Sequence, residues 1–161
     1  MFFAIISTQV ILAMLHATAS SPVNASLKTV WSLLLDKVEN PGRYIKAVKG
    51  SKVLTRYDDG ILREMKTDKM TVKERISIDE QAREVKFTLV DHPLFTGETI
   101  NKIVPPPSNR PEEPLTVTFV LQWEPRTEES EKIITQEEIN QVIHHAVLDL
   151  KSIAEQQDAQ K

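Results

Sequence analysis

The chain has 161 residues, a net charge of -3 and 40% hydrophobic residues, enough for one globular domain with a real core and too few for two comfortable ones. Acids and bases are interspersed, so no clustered basic face marks a nucleic-acid partner. There are no cysteines, which excludes disulfides, thiolate nucleophiles and cysteine metal sites.

Phe2 to Leu15 is mostly apolar, and Ala17-Thr18-Ala19 resembles a small-residue cleavage site, the pattern of a signal peptide. Against that, no Lys or Arg precedes the run, and Ser7, Thr8 and Gln9 interrupt it. It also falls short of the ~20 residues a spanning helix needs, so no stable membrane span is expected. Residues 1–13 read as an apolar extension, residues 14–158 as a single domain and residues 159–161 as a tail. The expected location is cytoplasmic, with secretion as the alternative. Leu15 to Val23 serves as the first strand, and cleavage after Ala19 would remove half of it. Asn24-Ala25-Ser26 fits a glycosylation acceptor, which matters only for an exported chain. Otherwise Asn24 and Ser26 compete to cap the helix that follows.

Leu27, Val30, Trp31, Leu34 and Val38 recur at helical spacing, with Lys28, Asp36 and Lys37 placed off that apolar face. Asn40-Pro41-Gly42 ends the helix. Pro41 is expected to open a second short helix through Val48, closed by Gly50. Strand signals then run from Lys52 to Tyr57 and from Ile61 to Thr67, joined by the Asp58-Asp59-Gly60 turn. Met70, Val72, Ile76 and Ile78 alternate with polar residues, as do Val85, Phe87 and Leu89. A further strand covers Glu98 to Val104, and the strongest alternation is Leu115, Val117, Phe119, Leu121 and Trp123. The pattern describes a sheet with one dry and one wet face. The prolines from Pro105 to Pro114 bracket a connecting loop, and Glu128, Glu129 and Glu131 read as a solvated turn.

The last segment, Thr135 to Asp158, is a long amphipathic helix with Ile139, Val142, Ile143, Ala146, Val147, Leu150, Ile153 and Ala154 on one stripe. Thr135 and Glu138 make a capping box. An antiparallel sheet curved around this helix satisfies the order of elements and leaves an apolar hollow, the kind of space that holds small hydrophobic molecules.

Few residues invite chemistry. His144 and His145 are adjacent on a helix and point ~100° apart, so no shared metal ion is expected. His92, between Asp91 and Pro93, is a candidate acid or base on a loop at the mouth of the hollow. Glu74 shares its phase with Met70, Val72, Ile76 and Ile78 and is aimed at the dry side, the alternative being a bulged or edge strand that leaves it wet. A carboxylate there needs a partner, and Arg63 and Asn101 are the candidates. The glycines are isolated, so no phosphate loop exists, and no cofactor is expected.

The runs Pro22-Val23-Asn24-Ala25-Ser26, Val30-Trp31 with Leu34, Leu62-Arg63-Glu64, Val72-Lys73-Glu74-Arg75-Ile76 and Gly97 through Asn101 to Ile103 resemble the AtaL-like family. That family lies within the helix-grip superfamily of START and polyketide-cyclase domains, and the resemblance covers roughly Leu15 to Ile153. It implies an α+β fold in which a curved seven-stranded antiparallel sheet grips a long C-terminal helix, with two short helices after the first strand. It also implies a ligand cavity, since members of the superfamily bind lipids, sterols, polyketides or hormones, and some cyclise polyketides. The expected partner is a small hydrophobic molecule. Val72, Phe87, Phe119, Leu121, Val147 and Leu150 would line the cavity or pack beside it, and Arg63, Glu74 and Asn101 would supply polar contacts. The rivals are a cofactor-free cyclase or aromatase with Glu74 or His92 as base, and a chaperone-regulating or protein-interaction domain.

Overall fold

The computed structural model describes residues 10–161. Seven strands form one antiparallel sheet: β1 (Leu15–Val23), β2 (Gly50–Tyr57), β3 (Gly60–Lys66), β4 (Thr71–Asp79), β5 (Glu84–Val90), β6 (Phe95–Val104) and β7 (Leu115–Pro125). Their order across the sheet is β1-β7-β6-β5-β4-β3-β2, so a meander from β2 to β7 ends by pairing with the first strand. Helix α1 (Leu27–Glu39) follows β1, a single turn α2 (Glu128–Glu131) follows β7, and α3 (Gln136–Ala159) ends the fold.

Local chemistry explains the boundaries. The Ser26 side chain accepts from Thr29 N and caps α1, so Ser26 wins over Asn24. Thr135 and Glu138 form the expected capping box at α3. Gly60, at φ +156°, begins β3 with no Cβ to strike the Ile76 carbonyl. Gly97, at φ +125°, lets β6 lie against the β7 backbone at Gln122 and Trp123, where any side chain would collide.

The second helix expected from Pro41 to Val48 is only one 3-10 turn, Pro41–Arg43, and Gly50 opens β2 instead of closing a helix. So short a segment does not repay the cost of nucleation. Its backbone turns back on itself, with Tyr44 N and Ile45 N both donating to the Pro41 carbonyl. The acidic run is not a plain turn. Thr127 caps it into α2, where glutamates in the first turn suit the positive end of the helix. Strand β6 also starts earlier than expected, at Phe95.

Helix α3 packs chiefly along β1, with further contacts to β7 and α1. It buries Ile139, Ile143, Val147, Leu150 and Ala154. These five span an arc of about 80°, and Val142 lies about 100° from its middle. Val142 is accordingly 56% exposed, although the apolar pattern assigned it to the stripe. Ala146 and Ile153, at the margin of the arc, are half-buried. At the far end of α3, Asp158 accepts from Lys161 Nζ, Thr29 Oγ1 and Ser26 N, which together hold its carboxyl well below the usual range. These bonds tie the end of α3 to the start of α1.

Of the N-terminal extension, residues 1–9 lie outside the described residues, while Val10, Ile11 and Met14 are exposed. No helix among the described residues is long and apolar enough to cross a membrane.

Candidate functional site

Strand register brings the predicted polar residues onto one face. Arg63 on β3 stands opposite Glu74 on β4, Glu74 opposite Leu89 on β5, Val85 opposite Asn101 on β6, and Asn101 opposite Phe119 on β7. This is the inner face, since the same rows carry the buried Ile61, Ile76, Phe87, Val117 and Leu121.

Arg63 is 2% exposed and spends its guanidinium on two tasks. Its Nη2 donates to Glu74 Oε2 at 2.6 Å. Its Nη1 donates to the Lys37 and Val38 carbonyls at 2.9 and 2.8 Å. Those carbonyls belong to the last turn of α1, which has no intrahelical donor for them. Arg63 therefore neutralises Glu74 and docks the end of α1 onto the sheet. Its Nε is buried without a partner among the described residues, and its guanidinium lies 5.5 Å from the Phe87 ring. Arg63 is thus the partner of Glu74, as the sequence predicts.

Asn101 is not a partner of Glu74. Its Oδ1 accepts from Lys37 Nζ at 3.0 Å, and Lys37 is the residue that the sequence reading placed off the apolar face. Lys37 Nζ sits 4.5 Å from the centre of the Phe119 ring and 5.5 Å from that of Phe87. The missed signal was its distance from Val30: seven residues make two helical turns and return to the same face. Burial is the main force on the ammonium. Glu74 opposes it and Arg63 reinforces it, and the outcome is a pKa lowered to about 8. An ammonium only donates, so Oδ1 must face it. That turns Asn101 Nδ2 elsewhere, and this fully buried atom has no partner among the described residues.

His92 is buried rather than on an open loop. Its Nδ1 accepts from the backbone N–H groups of Leu94 and Phe95, both at 3.1 Å, which leaves the ring hydrogen on Nε2. Its carbonyl accepts from Arg126 Nε at 2.6 Å, and its ring packs against Phe95 and Trp123. Burial and then Arg126 lower its pKa, against an opposing pull from Glu74. These bonds give His92 a role in fixing the turn between β5 and β6. Trp123 Nε1 beside it is buried without a partner among the described residues.

The predicted apolar residues divide between two places. Phe87 and Phe119 flank Lys37. Leu121, Val147 and Leu150 belong to the close-packed core on the β7 and α3 side. Val72 is half-buried, and so are Val53, Leu89 and Thr99 on the same inner rows. Lys37 likewise keeps partial accessibility although its Nζ is surrounded by protein. His144 and His145 are exposed on α3, and no group of side chains among the described residues has metal-ligand geometry. Two surface clefts lie elsewhere. One of about 460 Å³ runs between the proline loop and the Val23–Leu27 corner, and one of about 410 Å³ lies beside Asp59 and Asp79.

Compared with known families, residues 17–156 match the family described as AtaL, acetylaranotin biosynthesis cluster protein L. No curated protein matches the chain.

Proposed function

The chain belongs to the AtaL family, and from that premise we propose that it binds a small apolar metabolite with a polar end, held between the inner face of the sheet and its helices in the helix-grip manner. The observation that carries this reading is the polar row set into an apolar surface. Lys37, Arg63, Glu74 and Asn101 meet on the inner face beside Phe87 and Phe119. Burying charges and amides in this way costs stability, and an all-apolar row of similar volume would cost less. Arg63 repays part of that cost by docking α1, but Lys37 and the orphaned Asn101 Nδ2 have no such structural return. Their value lies in recognition: the amine and the amide receive a carbonyl, enol or carboxylate, while Val72, Phe87, Leu89 and Phe119 receive the apolar body.

Native mass spectrometry of protein purified from its host tests the reading. A retained apolar molecule, depleted in Asn101→Leu, is the expected result. A bare protein that also fails to take up 1-anilinonaphthalene-8-sulfonate would overturn it.

A cofactor-free cyclase is the second reading. A lysine poised near neutral pH, with Glu74 close enough to influence it, favours proton transfer at a bound polyketide-like chain. Lys37 then joins Glu74 as an acid-base candidate, ahead of His92, whose Nδ1 is committed to the turn.

A further inference from the structure

We infer that Lys37 is a nucleophile that captures aldehyde- or ketone-bearing apolar ligands as a protonated imine. This rests on the ligand-binding reading above and names the ligand's chemical class. Three observations of geometry carry it. First, Lys37 Nζ has no carboxylate within ion-pair distance among the described residues, since Arg63 holds Glu74 at 2.6 Å. Second, its neighbours are two aromatic faces, an amide oxygen and, nearby, the guanidinium of Arg63. Desolvation beside a second cation is how enzymes turn a lysine into an amine nucleophile. Third, on the same amide whose oxygen receives Nζ, Asn101 Nδ2 is buried without a partner among the described residues.

The balance is simple. The ammonium gives up one proton, and the freed lone pair forms a C–N bond as the carbonyl π pair moves onto oxygen. Both nitrogen-borne hydrogens lost in the sequence leave on that oxygen as water. The product is a protonated imine with the same single positive charge as the original ammonium. Nothing is oxidised or reduced. Glu74 on β4 and Arg63 on β3 are the charged groups that bear on this position, and β5, β6 and β7 present Phe87, Asn101 and Phe119. The lowered pKa of about 8 adds a pH signature. Near pH 7 an ordinary lysine of pKa ~10.4 is almost wholly protonated, so Lys37 should outpace surface lysines by at least ~10-fold.

The test is reductive trapping of the folded protein with decanal and cyanoborohydride at pH 7, read by peptide mapping. The expected result is a decyl group on Lys37 well before any other lysine, with half-maximal rate near pH 8. The fast label should vanish in Lys37→Arg, which keeps the charge, and in Lys37→Met, which removes it. Binding of 1-anilinonaphthalene-8-sulfonate is measured on the same samples. Dye uptake with Lys37 labelled no faster than exposed lysines would overturn the imine and leave the binding site standing. Loss of both dye uptake and labelling would overturn the two together.

Discussion

Along β1 and β7 the inner face is apolar and closed: Val23 and Val117 are at most 1% exposed, with Ile143 and Val147 of α3 in the same core. Along β3, β4 and β6 the same face carries Arg63, Glu74 and Asn101, and α1 adds Lys37. One half gains stability from burial at ~25 cal/mol per Å² of apolar surface, whereas the other gives some of it up to desolvate charges. On the reading proposed above, the sheet divides stability, along β1 and β7, from recognition, along β3, β4 and β6.

Truncation should separate the halves by mechanism. In the closed half, Leu121→Ala removes a side chain from near-full burial and should cost about 2–5 kcal/mol in urea unfolding. In the polar half, Glu74→Ala should cost a similar ~3–5 kcal/mol for a different reason, because the Arg63 guanidinium is left buried without its counter-charge. The double change Arg63→Met with Glu74→Leu sharpens the contrast: it should recover at least half of that loss, and additive losses would show that the pair is purely stabilising.

The next effect is a pH dependence carried by Lys37. Its folded pKa, about 8, lies below the 10.5 of an ordinary lysine. Between those values the unfolded chain binds more protons, so stability should rise as pH increases through that window. Below pH 8 both states are protonated and the full penalty of the buried ammonium is present. Lys37→Met should therefore be more stable than the parent at pH 7 by about 2 kcal/mol, with the gap closing by pH 10.5. Urea midpoints for the two proteins across that range would measure it, and a constant gap would contradict it.

Smaller effects belong to the frame that both halves share. Thr135→Ala removes the capping box of α3 and should cost about 1 kcal/mol. Val142→Ser, on the open side of the same helix, should change stability by less than ~0.5 kcal/mol, although the sequence alone makes it a core position.

What the sequence by itself determined was largely what has a short physical range. Alternation over Leu115–Trp123 and Val85–Leu89 fixed strands and their dry faces, because the side-chain period of a strand is 2 whatever it pairs with. Asp-Gly at the β2–β3 turn, Thr135 at the start of α3 and the phase of Glu74 are likewise local facts. Only the tertiary structure decided which partners these residues met. Arg63 reaches Glu74 because β3 and β4 are adjacent in register, but it reaches the carbonyls of Lys37 and Val38 because α1 ends over β3. Asn101 was legible as a candidate partner of Glu74 and illegible as the acceptor of a lysine 64 positions away. The width of the face each helix buries was equally hidden: it brought Lys37 inside and left Val142 in solvent. A helix's apolar stripe can be read from its own residues, but the arc that is covered depends on where its neighbours stand.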